Sequence, residues 1–262
     1  MVIGWLSNIN FYRQSHEQSV KQTTQAIHLP KRSYRYYDFI VAAFVTVLLC
    51  SNLIGAGKVA QVDLPFVGHV VFGAGILFFP ISYFFGDILT EVYGYAHDRR
   101  AVWCGFGALL FAAVMASVVV SLTPAPGEYN SSLQSGLELV FGNTWRIVAG
   151  SITAFWMGSF VNAYVLAKLK VWTQGRQLWV RTIGSTAAGE LVDSSLFYVI
   201  AFAGIWPLEQ VLTVALVQYV LKTSWEVLAT PLTYVVVGYL KRQEQEDYYD
   251  THTNFSPFKT TL

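Results

Sequence analysis

Acidic side chains occur inside apolar segments of this chain, where hydrocarbon side chains would be expected. Five of them and one lysine form three pairs whose members are three or four residues apart, a spacing that puts each pair on one face of a helix. The pairs are Asp87 with Glu91, Glu190 with Asp193, and Lys222 with Glu226. Ionisable groups are costly in lipid, so they normally face a bundle interior or a wet cavity and mark a transport pathway. The pattern therefore predicts a transporter.

Negative charge is in excess in this set, since it contains five carboxylates and one lysine. Such a site requires either protonated carboxylates, favoured by desolvation, or a ligand rich in donors or positive charge. Trp156 is one of several nearby aromatic residues that could stack on a planar ligand. Asn52 and Asn162 are polar at apolar depth, so each could bond a ligand edge or bridge two helices.

Two of the pairs also have a simpler structural interpretation. Lys222 and Glu226 could neutralise each other along the helix that they share. The pair in the second segment could be interfacial and neutralised by Arg99 and Arg100. Glu190 and Asp193 have no basic residue close to them in sequence, so a purely structural role is less well supported for them.

The composition predicts an integral membrane protein of the all-α class. The chain is 54% hydrophobic and 13% charged, with a mean hydropathy of +0.43, whereas a soluble domain is about a quarter charged. A transmembrane helix needs roughly 20 apolar residues. Six segments fit: Phe39–Lys58, Phe66–Tyr93, Ala101–Leu122, Trp145–Leu169, Thr182–Trp206 and Leu208–Leu240. Pro80 and Pro231 are candidate break points in the second and sixth.

The orientation follows from the distribution of Lys and Arg among the short loops. Basic residues are concentrated before the first segment, after the last, and in every second loop between them. We therefore expect a multi-pass protein with both termini in the cytoplasm. The predicted units are a cytoplasmic tail over 1–35, a six-helix domain over 36–242 and a solvated, mobile cytoplasmic tail over 243–262.

Short internal matches suggest that the domain consists of two three-helix repeats inserted in opposite orientations. Asn52–Lys58 resembles Asn162–Lys168, and the Gly86–Glu91 stretch resembles Gly189–Asp193. The pattern gives no oligomeric state, although a homo-oligomer is compatible with it.

Catalytic and nucleic-acid-binding functions find no support in the sequence. We find no metalloprotease, nucleophile-elbow, phosphate-loop or Cys-x-x-Cys motif. We therefore expect no catalytic residue, no cofactor and no metal site. The net charge is +1 and the basic residues are not clustered, which argues against a nucleic-acid partner. The expected partners are the lipid bilayer and a small molecule.

Four stretches of the chain resemble the queuosine precursor transporter family, which has also been grouped as putative vitamin uptake transporters. They are SNLIGAGK at 51–58, FPISYFFGDILTEVYG at 79–94, GELVDSS at 189–195 and KTSWEVLATPLTY at 222–234. The resemblance implies a carrier of the bacterial inner membrane that imports 7-cyano-7-deazaguanine and 7-aminomethyl-7-deazaguanine for salvage of the tRNA nucleoside queuosine.

The residues fit that substrate class. A guanine-like edge presents an N–H and an amino group side by side, which one carboxylate can accept together. We expect Glu190 or Glu226 on that edge, assisted by Asp87 and Asp193, with Lys222 on the ring carbonyl or on a carboxylate. A secondary carrier is the favoured mechanism. The alternatives are the substrate-binding membrane subunit of an energy-coupling-factor importer, a membrane enzyme and a structural membrane protein.

Overall fold

The structure is a computed structural model in which residues 34–53, 59–64, 68–73, 77–142 and 145–259 are described. Most of the predicted N-terminal tail and Lys58 lie outside these residues. The described helices are α1 (Tyr37–Leu53), α2 (Phe79–Ile88), α3 (Tyr95–Ser121), α4 (Glu128–Phe141), α5 (Trp145–Trp172), α6 (Leu178–Phe202) and α7 (Leu208–Glu244). A π-helical turn, Leu89–Tyr93, extends α2.

The predicted all-α class is confirmed. Within the described parts of the chain, three helical stretches are long and apolar enough to cross a membrane: Tyr95–Ser121, Arg146–Trp172 and Leu208–Glu244. The shorter helix α1 is also apolar. The helices α5 and α6 pack along each other, and α7 packs on α6 and α2.

The predicted start of the second segment at Phe66 is wrong. Strand β1 (Val59–Leu64) pairs antiparallel with β2 (Gly68–Gly73), and the helix begins only at Phe79. The misassigned residues are those of β2, GHVVFG, in which two adjacent valines stand between flanking glycines, and β-branched residues favour a strand whereas glycine disfavours a helix interior. Pro80 lies in the first turn of α2, a position where its missing N–H costs nothing.

The π-helical turn brings polar residues into the core of the molecule. All five of its residues are buried, including Thr90 and Glu91. The turn ends at Gly94, whose φ of 87° suits glycine. A Cβ atom at this position would clash with the ring of Tyr248. Such π turns are frequent at functional sites because they redirect side chains from a regular helix face.

The C-terminal segment is not the solvated tail that its composition predicts. Asp250 is buried and accepts a 3.0 Å hydrogen bond from the Tyr95 backbone N–H at the start of α3. Arg99 donates to the carbonyls of Asn254 and Ser256, both at 2.9 Å. We call residues 245–259 the C-terminal strap. Because its own acids and carbonyls are matched by partners on the helices, the strap packs on them despite its polarity.

Candidate functional site

Four buried carboxylates and one lysine from α2, α6 and α7 form what we call the acid cluster. Its members are Asp87, Glu190, Asp193, Lys222 and Glu226. The glutamates and aspartates are all at most 4% exposed. All five belong to the predicted substrate-binding residues, and they lie on helices that pack against each other.

Lys222 lies between the two carboxylates of α6. Its Nζ is 2.6 Å from Asp193 Oδ2 and 3.0 Å from Glu190 Oε2. The basic partner of Glu190 and Asp193 therefore comes from α7, although it is about 30 residues away in sequence. The interpretation in which Lys222 neutralises Glu226 along one helix is not what the structure shows, since the ion pairs of Lys222 with described residues are those to Glu190 and Asp193.

Asp87 is held by an amide instead of a base. Asn162 Nδ2 donates a 2.8 Å hydrogen bond to Asp87 Oδ1. The other oxygen, Oδ2, has no hydrogen-bond partner within the part of the chain that is described. Glu226 likewise has a buried oxygen, Oε1, without a partner among the described residues. Asp87 and Glu226 are therefore the two carboxylates of the cluster that Lys222 does not pair with.

Two glycines let α5 and α6 approach closely enough to form this site. A Cβ on Gly158 would lie 2.9 Å from both Asp193 Cβ and Tyr83 Oη, and 3.0 Å from the Gly189 carbonyl. A Cβ on Gly189 would lie 2.9 Å from Asn162 Cβ. Small residues are the usual means of close helix packing in membranes. Here they bring the ring of Tyr83 against the acids of α6.

Glu91 belongs to a second group, which we call the Glu91 network. Arg181 donates from Nε to Glu91 Oε2 at 3.1 Å and from Nη2 to Oε1 at 2.8 Å. Lys241 donates to Oε1 at 2.6 Å, and Lys170 donates to the Glu91 carbonyl at 2.6 Å. Glu91 is thus neutralised from α5, α6 and α7, and not by Arg99 or Arg100.

The C-terminal strap completes the Glu91 network from outside. Asp247 lies 2.6 Å from Lys170 Nζ and 2.8 Å from Lys241 Nζ. Partial burial acts to raise the pKa of Asp247, but the hydrogen bonds from the two lysines outweigh it and hold this pKa below its ordinary value. The strap is therefore tied to the same two lysines that hold Glu91.

Two other predicted site residues make their contacts elsewhere. Asn52 donates to the Leu48 carbonyl at 2.9 Å and accepts from the Ser151 hydroxyl at 2.6 Å, so it bridges α1 and α5. Trp156 packs in an aromatic group with ring centroids 5.7 Å from Trp103 and 5.1 Å from Phe160. The structure brings neither residue into contact with the acid cluster.

Sequence reasoning missed the residues that join elements far apart in the chain. Arg181 contributes to the prediction only as one of the basic loop residues that indicate the orientation of the chain in the membrane. The close approach of Gly158 to Gly189 is not part of the prediction. A small residue in each of two adjacent apolar segments is a signal that could have indicated their close approach. No sequence signal identifies Arg181 as the partner of Glu91, because ion pairs between helices depend on packing.

Comparison with known proteins identifies relatives of the chain. The family model described as "Putative vitamin uptake transporter" matches residues 73–236. A Bacillus subtilis (strain 168) protein named "Probable queuosine precursor transporter" is 31% identical over 79% of this chain and 86% of its own length. An Escherichia coli (strain K12) "Queuosine precursor transporter" is 26% identical over 59% of this chain and 66% of its own length. No solved structure gives a significant match.

Proposed function

This chain belongs to the "Putative vitamin uptake transporter" family, and from that membership we propose that it imports queuosine precursors across the bacterial inner membrane as a secondary carrier. The proposed substrates are 7-cyano-7-deazaguanine and 7-aminomethyl-7-deazaguanine. The names of both curated relatives support the substrate class. The observation that carries the mechanism is the acid cluster, in which four buried carboxylates face one lysine.

Glu226 is the better candidate for the guanine-like edge. Its Oε1 is buried and has no hydrogen-bond partner among the described residues, whereas Glu190 is already paired with Lys222. A carboxylate accepts from an adjacent N–H and amino group without rearrangement. Asp87, with its own unpaired Oδ2, would attract the cationic aminomethyl group.

Lys222 sets the charge of the site when substrate is absent. It holds Asp193 and Glu190, and either of these acids becomes available to the substrate if Lys222 turns to the ring carbonyl. Tyr83 lies beside the acids of α6, since its Oη and the Cβ of Asp193 are both 2.9 Å from the Cβ position of Gly158. It is therefore a better-placed stacking surface than Trp156.

The proposed topology has six crossings, formed by α1, α2 with its π-helical turn, α3, α5, α6 and α7, with both termini cytoplasmic. The 10 residues of α2 and the 5 of the turn extend about 22 Å at 1.5 Å per residue, which is shorter than a bilayer core of about 30 Å. Broken helices of this kind line substrate sites in carriers built from inverted repeats. The halves α1–α3 and α5–α7 would be those repeats.

Substrate binding requires these helices to separate. The cavity beside the acid cluster, among the residues described, has a volume of about 10 Å³, which holds about one water. A nucleobase needs far more room. Alternating access supplies it, by movement of one half of the domain against the other.

The direct test uses cells that cannot make queuosine precursors. The cells receive nanomolar precursor with and without this gene, and queuosine in tRNA is measured by mass spectrometry of digested nucleosides. We expect queuosine only in the cells that carry the gene. Equal queuosine in both would refute the proposal. Repeating the measurement without energy-coupling-factor ATPase subunits distinguishes a carrier, which still works, from a subunit of such an importer, which does not.

A further inference from the structure

A small cavity adjoins the acid cluster on the side of α3. It lies between α1, α2, α3 and α5, and its lining is Phe44, Ser82, Tyr83, Gly86, Asp98, Val102, Ser159 and Asn162. Its volume of about 10 Å³ accommodates a single water-sized particle. The oxygen-bearing side chains of this lining are unusual for an interior surrounded by apolar helices.

Two oxygens of the lining are buried without hydrogen-bond partners among the described residues. They are Asp98 Oδ1 and Asn162 Oδ1, on side chains that are 1% and 3% exposed. Leaving a buried polar atom unpaired is costly. The hydroxyls of Ser82 and Ser159 lie in the same lining. The cavity therefore offers several oxygen acceptors to one small particle.

Asn162 contacts the acid cluster and also lines the cavity. The Asn162 amide donates from Nδ2 to Asp87 Oδ1 at 2.8 Å. Its other polar atom, the carbonyl oxygen Oδ1, is an acceptor that is buried without a hydrogen-bond partner among the described residues. One side chain thus donates to the acid cluster, lines the cavity and keeps an unused acceptor.

Gly86 leaves open the space beside Asp98. A Cβ on Gly86 would have Asp98 Oδ1 at 4.0 Å as its nearest neighbour within 4 Å. A methyl group at this position would meet no steric clash but would occupy part of the cavity. The missing side chain of Gly86 therefore preserves room next to the carboxylate.

No described Lys, Arg or His lies within ion-pair distance of Asp98 or Asp87. The nearby cations are committed elsewhere, since Arg99 donates to the carbonyls of the strap and Lys222 to Asp193. An uncompensated buried carboxylate is strongly unfavourable. A positive ion in the cavity would remove this penalty.

We propose that the cavity binds a sodium ion through Asp98, Asn162 Oδ1 and the hydroxyls of Ser82 and Ser159, and that this ion is coupled to substrate through Asn162. The coupling part rests on the proposed carrier function. A cation on Oδ1 polarises the amide, strengthens the Nδ2 hydrogen bond to Asp87 and favours the ionised form of that carboxylate. Sodium and a donor-rich substrate then each improve the binding of the other.

The ligand set and the size of the cavity favour a small monovalent cation such as sodium. Oxygen-only donors suit hard cations and not copper or zinc. One carboxylate matches a single positive charge, whereas calcium sites usually carry several carboxylates. Magnesium retains several waters, for which a cavity of about 10 Å³ has no space.

The binding experiment uses the purified full-length protein without substrate. Thermal unfolding is followed in NaCl, KCl and choline chloride at equal ionic strength. We expect a sodium-specific, saturable rise of several degrees in the melting temperature. The rise should vanish in Asp98→Asn. In Gly86→Ala the half-saturating sodium concentration should increase roughly tenfold. Gly107→Ala is the matched control, since nothing lies within 4 Å of its Cβ position, and it should respond as the original protein does.

Uptake measurements distinguish the site from the transport proposal. Precursor uptake into proteoliposomes should require sodium in the original protein and lose that dependence or fail in Asp98→Asn. An equal melting response to choline and sodium, or uptake that follows a proton gradient and ignores sodium, overturns the sodium site while leaving the carrier proposal intact. Sodium-specific stabilisation without uptake of any precursor supports the site and rejects the transport proposal.

Discussion

Arg181 of α6 holds Glu91 of the π-helical turn in a two-pronged ion pair, with Nε to Oε2 at 3.1 Å and Nη2 to Oε1 at 2.8 Å. Both side chains are buried, at 2% and 0% exposure. Parallel contacts of this kind fix geometry as well as charge. The pair therefore identifies Glu91 as a structural anchor of the turn that follows Asp87.

Glu91→Gln should destabilise the protein more than it alters substrate affinity. The change leaves Arg181, Lys170 and Lys241 without their shared carboxylate, and breaking a buried pair costs about 3–5 kcal/mol. We expect a lower melting temperature and less detergent-extracted folded protein, measured by fluorescence-detected size exclusion. The melting temperature of Arg181→Lys should lie between those of the original protein and of Glu91→Gln, because lysine keeps the positive charge but loses the paired donors of the guanidinium. Normal folding of Glu91→Gln would contradict the anchoring role.

Glu226→Gln should lose precursor uptake by tenfold or more while folding normally. The unpaired Oε1 of Glu226 anchors no other side chain, so its charge is available for the substrate edge. Uptake by cells with matched membrane levels of protein is the measurement. Glu190→Gln should also reduce uptake sharply. If Glu226→Gln transports normally and only Glu190→Gln fails, Glu190 and not Glu226 binds the guanine-like edge of the substrate.

Lys222→Met should impair both folding and uptake, because it leaves Asp193 and Glu190 buried without a counter-charge. Adding Asp193→Asn should restore folded protein without restoring uptake. The test is a double-mutant comparison of melting temperatures. Additive losses in the double variant would mean that the 2.6 Å contact contributes little.

Gly158→Ala should separate α5 from α6 and reduce stability by about 1–3 kcal/mol, the usual cost of overpacking. The new methyl would lie 2.9 Å from Tyr83 Oη and 3.0 Å from the Gly189 carbonyl. Gly136→Ala is the control, because nothing lies within 4 Å of its Cβ position. Equal melting temperatures for the two variants would show that the close approach is not required.

Asp247→Asn should loosen the C-terminal strap without unfolding the helices. Because its pKa lies below the ordinary value, ionised Asp247 stabilises the folded state above the unfolded pKa of about 3.9, and this stabilisation is lost as the pH falls further. Limited proteolysis at neutral pH should cut the strap of the variant faster than that of the original protein. Cleavage at the same rate would show that Asp247 does not hold the strap.

Pairs of residues on one helix were within reach of sequence reasoning. Asp87 with Glu91 and Glu190 with Asp193 were identified because helical periodicity and local hydropathy are enough to show a charged face in an apolar segment. The family was also identified from local motifs, and the comparisons confirm it. The pairing of β1 with β2 was missed because the apolar residues of β2 were assigned to the start of a helix and those of β1 to the loop before it.

Composition and local spacing are properties of the linear chain, so they are enough to place acids within apolar helices and to reveal the resemblance to transporters. The pairing of Lys222 with Asp193 instead of Glu226, the neutralisation of Glu91 by Arg181 and the packing of the strap on the helices follow only from the folded arrangement. Those partners are 29, 90 and up to 160 residues apart. Charges choose partners by distance in space, and that distance is set by how glycines such as Gly158 allow helices to approach.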